Sequence, residues 1–135
     1  MLGCLIEKEK LTPDNYPLTL NSLTAACNQK TSREPVLELT ESEVAEALDS
    51  LREKRLVNEV IRSDSRVNRY RHVADMALNI KGGRLAALCV LMLRGPQTPG
   101  EIRSRTGRLH EVSSLEEVQD TLDALVDRPG GPLVV

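Results

Sequence analysis

The segment EVAEALDSL at residues 43–51 returns without gaps as EVQDTLDAL at residues 117–125. Five of the nine positions are identical, and a sixth keeps an acidic side chain. In the first copy, Val44, Leu48 and Leu51 have the spacing of one buried helical face, and the second copy repeats that spacing. The pattern therefore predicts two equivalent amphipathic helices and indicates that one structural unit has been duplicated.

Capping sequences and a hairpin pattern surround the first copy. Thr40-Glu41-Ser42-Glu43 is a capping box at the start of the first repeated helix, and Ser114-Leu115-Glu116-Glu117 is its counterpart in the second. Apolar spacing predicts two earlier helices, and alternating residues predict a later hairpin. These elements are helices at 2–9 and 18–28 and strands at 56–61 and 67–73, joined by a turn at 62–66.

The same order of elements restarts after a Gly-Gly pair. Helices are predicted at 85–93 and from Thr98 to about residue 108, followed by the repeated helix and a strand at 133–135. Three helices and a hairpin are the order of a winged helix. We therefore predict a mainly α fold with small β-hairpin wings (α+β), as two winged-helix, or helix-turn-helix, domains in tandem. The predicted parts are a first domain at 1–74, a linker at 75–84, and a second domain at 85–135 whose wing is incomplete.

The segment TAACNQKTSREPV at residues 24–36 is similar to the YceH-like proteins, a bacterial family. Further stretches carry the same resemblance, at residues 5–8, 12–18, 93–105 and 130–132. The resemblance implies a tandem winged-helix fold and no established activity. Members of that family have residues before the first helix and continue into a second wing and a tail. The resemblance thus leads us to expect a fragment of a longer protein.

Composition excludes several classes of protein. Hydrophobic residues make up 40% of the chain and charged residues 28%, which are values of globular proteins. Aromatic residues make up 1%, which argues against a stacking platform for single-stranded nucleic acid. Cys4, Cys27 and Cys89 lie among apolar neighbours and are expected to be buried reduced thiols. With no apolar run of about 20 residues, we expect a cytoplasmic protein with no contact to a membrane.

Residues that could carry catalysis are sparse. His72 and His110 are the only histidines, and neither has a cysteine or aspartate at metal-ligand spacing. The sequence has no nucleotide-binding loop, zinc-protease motif or nucleophile elbow. We therefore expect no enzyme, no cofactor, no metal and no small-molecule substrate.

The basic residues support a first hypothesis, which is binding of double-stranded DNA. The predicted wing and two loop or helix segments have local positive charge, and such groups bind phosphates. The candidate nucleic-acid-binding residues are Lys30, Arg33, Arg62, Arg66, Arg69, Arg71, Arg103 and Arg105. A solvated hairpin with no ligand is the alternative explanation of the wing arginines.

The repeated helices support a second hypothesis, a protein-interaction adaptor. Residues 41–51 contain four acids and no base, and so do residues 115–125. Carboxylates on a third helix would repel phosphates in a major groove. The candidate protein-interaction residues are Glu46, Asp49, Asp120 and Asp123. A basic partner, or the basic wing of a second copy in a homodimer, would complement them. The fold analogy favours a DNA-binding regulator and the charge pattern favours the adaptor. We expect DNA binding through the wing and loop arginines rather than the acidic third helix, with the adaptor as the alternative.

Overall fold

A computed structural model of the chain describes residues 1–61, 66–111 and 114–135. These residues form a mainly helical α+β fold with one small antiparallel sheet. The elements are α1 (Leu2–Leu11), a 3-10 turn (Pro13–Asn15), β1 (Leu18–Thr19), α2 (Leu20–Cys27), α3 (Glu41–Glu53), β2 (Val57–Val60), β3 (Arg69–His72), α4 (Ala74–Leu78), α5 (Gly83–Arg94), α6 (Pro99–Thr106) and α7 (Leu115–Val126).

Side-chain caps set the starts of the later helices. The Thr40 hydroxyl accepts a hydrogen bond from the Glu43 N–H at 3.1 Å, and the Glu43 carboxylate accepts one from the Thr40 N–H. The same reciprocal pair forms between Thr98 and Glu101 at the start of α6. Ser114 caps α7 by accepting from the Glu117 N–H at 3.1 Å. The predicted starts of α3 and α7 are confirmed, because these bonds satisfy N–H groups that a helix cannot pair internally.

The sheet has the strand order β1-β3-β2 with antiparallel neighbours. Leu18 lies opposite Tyr70, and Val57 lies opposite His72. The two predicted hairpin strands are confirmed, and residues 62–65 of the predicted turn lie outside the described residues. The prediction of helix from residue 18 is wrong for the first two residues. They pair with β3 instead, and Thr19 then caps α2 by accepting from the Ser22 N–H at 3.1 Å.

Two further predictions differ from the structure. The short helix α4 begins at the last residue of the predicted first domain and continues into the segment predicted as a linker, and α5 begins at Gly83 rather than at residue 85. The strand predicted at 133–135 is absent from the described residues, where the Leu133 N–H donates to the Leu125 carbonyl at 2.9 Å. An isolated strand has no neighbour to satisfy its backbone groups, so the segment turns back onto α7.

One buried cluster contains residues of both halves. Leu5 and Ile6 of α1 belong to it together with Cys89 of α5 and Leu125 of α7. Helix α1 packs against α5 so closely that a Cβ atom on Gly3 would lie 3.1 Å from the Leu93 side chain. The division into domains at 1–74 and 85–135 stays a prediction. Because the core is shared, α1 of the first half and α5 of the second half bury their apolar surfaces against each other.

Within the described ranges, no helix combines the length and the apolar character that crossing a bilayer requires.

Candidate functional site

One face of α3 is a continuous row of carboxylates. Val44 and Leu48 are buried on the opposite side of the helix, which leaves Glu46, Asp49 and Glu53 exposed. These three acids are spaced at i, i+3 and i+7, so they lie along one stripe, which we call the acidic face of α3. Asp49 is 74% exposed, and its nearest cation is Arg52 at 4.0 Å. An ion pair with this exposure and this distance does little to neutralise the acidic face of α3.

The second repeated helix presents a similar surface. Asp120 and Asp123 of α7 are exposed, while Val118 and Leu125 of the same helix are buried. The Asp123 carboxylate accepts a hydrogen bond from the Gln119 amide at 3.0 Å, which leaves its negative charge in place. The four residues predicted for protein interaction are therefore all exposed, two on each repeated helix.

The outer face of the sheet carries the wing arginines. Residues that pair across strands share a face, so Thr19, Arg69 and Val60 lie in one row and Arg71 and Asn58 in the next. The opposite face is buried, as Leu18, Val57 and His72 are. Arg66 is exposed next to the hairpin, and Arg62 lies outside the described residues.

The Arg69 side chain forms a hydrogen bond within the protein. Its Nη1 donates to the Pro17 carbonyl at 3.1 Å, and its Nε is buried without a hydrogen-bond partner among the described residues. Arg71 is exposed. Among the described residues of the hairpin, Arg66 and Arg71 are therefore the cations available to a ligand.

Arg33 corrects the predicted nucleic-acid surface. Its side chain is 4% exposed and binds both carboxylate oxygens of Glu7, at 2.8 and 2.9 Å. The same guanidinium donates to the Ala26 carbonyl. Burial alone would raise the pKa of Glu7, but the hydrogen bonds and charge of Arg33 hold it below its ordinary value. Arg33 is thus bound within the protein and cannot contact phosphate, whereas Lys30 in the same loop is exposed.

The remaining predicted basic residues lie on α6. Arg103 is exposed. The Arg105 Nη1 atom donates to the Gln97 side chain at 2.8 Å and lies 3.5 Å from Glu101. Arg105 is therefore largely engaged inside its own helix and the loop before it. The structure brings Arg69 and Arg71 together on the sheet and places Arg103 and Arg105 on a different element.

A groove joins the acidic face of α3 to the hairpin. It has a volume of about 1120 Å³ and runs along the whole of β2. Its lining also includes Asp49, Arg52 and Glu53 of α3 and Arg71 of β3. Arg52 donates across the groove to Glu59 at 3.0 Å, so its charge is already balanced there. The sequence did not suggest this groove, because β2 appears as one half of a hairpin and its neighbour α3 as a separate helix.

His72 and the three cysteine side chains are buried. His72 is buried, its Nδ1 accepts from the Ala74 N–H, and its Nε2 lies 2.9 Å from Glu9. Burial raises the pKa of the neighbouring Tyr16 hydroxyl, which accepts from the His72 N–H at 2.7 Å. Cys4, Cys27 and Cys89 are free thiols and are buried. In the ranges that the structure describes, no three potential ligands gather to hold a metal ion.

These features define a mainly helical α+β protein that has two exposed acidic helix faces and a polar groove beside its sheet. The chain belongs to the family described as "Protein of unknown function, DUF480", whose profile matches residues 1–135. The resemblance to the YceH-like proteins agrees with this membership.

Curated relatives come from several bacteria. A UPF0502 protein of Chromobacterium violaceum is 56% identical over 128 residues, which are 95% of this chain and 58% of that protein. UPF0502 proteins of Shewanella woodyi and Shewanella piezotolerans are 52% and 54% identical, over 95% and 99% of this chain and 60% and 63% of their own lengths. The chain thus spans about three-fifths of the relatives it matches, and their names state no activity, ligand or partner.

Proposed function

We propose that this chain is a non-catalytic, tandem winged-helix module that binds a basic protein partner through its acidic helices. The order α1, β1, α2, α3, β2, β3 and the sheet order β1-β3-β2 support a winged helix in the first half. Helices α5, α6 and α7 follow the same helical order, and Thr98 and Ser114 cap α6 and α7 as Thr19 and Thr40 cap α2 and α3. Because one fold serves many purposes, the function is argued from the exposed side chains alone.

The exposure of the acidic residues carries the proposal. Glu46 and Asp49 on α3, and Asp120 and Asp123 on α7, are all exposed to solvent. The residues predicted to bind nucleic acid are, by contrast, not all available to a ligand, because Arg33 is buried against Glu7 and Arg69 donates to the Pro17 carbonyl. Charged surfaces of one sign attract complementary partners and exclude partners of like sign. A basic protein surface therefore fits this chain better than a nucleic-acid backbone does.

Charge reversal on α3 tests this function. We expect Glu46→Lys/Asp49→Lys to weaken capture of a protein partner by about tenfold or more, since like charges facing each other cost several kcal/mol. The measurement is affinity capture from nuclease-treated host lysate, quantified by mass spectrometry. Asp14→Lys/Asp127→Lys changes the charge equally at other exposed positions and serves as the control. Equal capture by both variants would contradict the role of α3.

A homodimer is a special case of the same proposal, in which the partner's basic surface is the hairpin of a second copy. Sedimentation of the wild-type chain and of the Glu46→Lys/Asp49→Lys variant separates the two cases. A dimer that dissociates in the variant identifies a second copy as the partner. A chain that stays monomeric in both cases excludes a second copy as the partner.

Duplex DNA is a second candidate partner, favoured by Arg66 and Arg71 on the exposed side of the hairpin. We expect weak binding, insensitive to sequence, that declines steeply as the salt concentration rises. Arg66→Glu/Arg71→Glu should abolish it, while Arg84→Glu on α5 should leave it unchanged. Fluorescence anisotropy of a labelled duplex at several salt concentrations measures both effects. Absence of binding by the wild-type chain at low salt rules this candidate out.

A further inference from the structure

A small recess with arginine side chains in its lining lies where the two halves of the chain meet. Its volume is about 70 Å³. Helix α1, the loop after α2, helix α5 and the end of α6 with the residues after it all contribute to the lining. Three of the lining residues are Arg94, Arg105 and Arg108, and we call this place the arginine recess.

Positive charge dominates the arginine recess. Glu7 is the one acid in its lining among the described residues. Both Glu7 oxygens accept from Arg33, at 2.8 and 2.9 Å, so a cation outside the lining already balances this carboxylate. Within the same part of the chain, no hydrogen bond or ion pair engages the side chain of Arg94 or Arg108. Three like charges around one small space repel one another, and an anion between them would offset that repulsion.

Arg105 is held in position by Gln97. The Arg105 Nη1 atom donates to the Gln97 side chain, whose amide donates in turn to the Val90 and Gly95 carbonyls, both at 3.1 Å. Glu101 lies 3.5 Å from the same Nη1 atom and is 47% exposed, so it offsets the charge of Arg105 only in part. The Nε and Nη2 atoms of Arg105 stay open to a ligand, since neither is a buried unpaired atom. One guanidinium is thus fixed in advance, which lowers the cost of ordering it on binding.

The size and the charge of the recess determine which ligand fits. A volume of about 70 Å³ corresponds to about two water molecules in the bulk liquid, so the recess takes one oxyanion group rather than a ring system. Guanidinium groups bind the oxygens of phosphates and carboxylates in pairs. Three cations match the double charge of a phosphate group better than the single charge of a carboxylate. The half-buried Ser32, also in the lining, has a hydroxyl that can donate to the same ligand.

We propose that the arginine recess binds a phosphate-type oxyanion, either inorganic phosphate or the phosphoryl group of a small phosphorylated molecule. Arg94, Arg105 and Arg108 bind the oxygens of this group, and Ser32 donates a further hydrogen bond. The site goes beyond the protein-interaction function, because no described residue of α3 or α7 lines it. Since the lining comes from both halves of the chain, the bound anion holds them together and stabilises the folded protein.

Isothermal titration calorimetry with inorganic phosphate and with phenyl phosphate tests the site, in a low-salt buffer without other oxyanions. We expect one site per chain with a dissociation constant of about 1 mM or tighter, and a rise in the thermal midpoint of unfolding. Acetate, which carries a single charge, should bind about tenfold more weakly or less. Tighter binding of phenyl phosphate than of inorganic phosphate supports a phosphorylated molecule as the ligand, and the reverse order supports the free anion. Acetate binding as tight as phosphate binding, or no phosphate binding, overturns the proposal.

Matched variants locate the binding site. Arg94→Gln/Arg108→Gln should weaken phosphate binding about tenfold or more, because it removes several hydrogen bonds between charged groups. Lys54→Gln/Arg84→Gln removes the same charge at exposed positions outside the recess and should change the affinity by less than about twofold. Arg94→Lys/Arg108→Lys keeps the charge but loses the paired donors of the guanidinium, so its affinity should lie between those of the wild-type chain and the glutamine variant. Circular dichroism of each variant reports on folding.

Two-dimensional NMR of the wild-type chain tests the location without any substitution. On addition of phosphate, we expect the amide signals of Ser32, Arg94 and Arg108 to shift together. Shifts confined to other segments, or equal weakening by the two glutamine variants, overturn the proposal, because phosphate would then respond to another site or to the overall charge. Partner capture that depends on Glu46 and Asp49 is measured separately, so failure of the phosphate site and failure of the proposed function are distinguishable.

Discussion

Arg33→Ala is expected to lower the free energy of unfolding by about 3–5 kcal/mol, because it removes the cation that makes both short hydrogen bonds to the buried Glu7 carboxylate. The two side chains are 4% and 6% exposed and share two hydrogen bonds of 2.8 and 2.9 Å. Lys8 stays 3.4 Å from Glu7 while it also donates to Gln29, so it compensates for only part of the lost charge and hydrogen bonding. Urea denaturation followed by circular dichroism measures the loss.

The double variant Glu7→Leu/Arg33→Met is the control for this prediction. Replacing both members of a buried ion pair by apolar side chains of similar size is often neutral or stabilising. We therefore expect the double variant to recover most of the stability that Arg33→Ala loses. A single variant within about 1 kcal/mol of the wild-type chain would show that the carboxylate is compensated by another group.

The same ion pair predicts how stability depends on pH. Because the pKa of Glu7 is lower in the folded chain than its ordinary value of 4.5, the unfolded chain binds this proton more readily. The stabilisation is complete at neutral pH and is lost as the pH falls from about 4.5 through the folded-state pKa. The double variant lacks the carboxylate and should lose this part of the acid sensitivity.

Leu5→Ala and Leu125→Ala should each lower the free energy of unfolding by about 2–5 kcal/mol, since each leaves a cavity in a closed core. Both leucines are fully buried and belong to one cluster, although they lie near opposite ends of the chain. We expect a single thermal transition whose midpoint falls in both variants. Leu115→Ala is the control, because Leu115 is an exposed residue of α7.

Calorimetry decides how far the two halves fold together. A single transition in all three variants shows that the shared core couples them. Two transitions, of which Leu5→Ala shifts one and Leu125→Ala the other, would instead support independent domains at 1–74 and 85–135. That result would contradict the coupling inferred from the packing of α1 against α5.

The predictable parts of the fold are those that local chemistry determines. The caps at Thr40 and Ser114 and the apolar stripe after each were sufficient to place α3 and α7, because all the participating groups lie within a few residues. The strand β1 was missed because two residues make a strand only through their pairing with β3, about fifty residues later. The absent strand at 133–135 reflects the same dependence on a distant neighbour.

The candidate site was predictable to a similar degree. Exposure of Glu46 and Asp49 follows from helical periodicity, and the structure places both on the outside of α3. The burial of Arg33 does not follow from its neighbours in sequence, since its partner Glu7 lies on another helix. The nearest signal was an acid at the end of the apolar run of α1, whose residues from Gly3 to Glu7 are all buried.

The close crossing of α1 and α5 at Gly3 has a consequence for valency. The Leu93 side chain lies against Gly3. The Leu93 carbonyl also accepts a hydrogen bond from the Glu34 N–H at 3.0 Å, so the loop after α2 is attached to the same crossing. We therefore expect α3 and α7 to keep a fixed separation. Under the proposed function, a partner with two basic sites at a matching separation would gain avidity by engaging both helices, because the second contact is intramolecular and has a high effective concentration. A partner whose sites are spaced differently would bind with the strength of a single helix, so the crossing of α1 and α5 would select partners by the spacing of their basic sites.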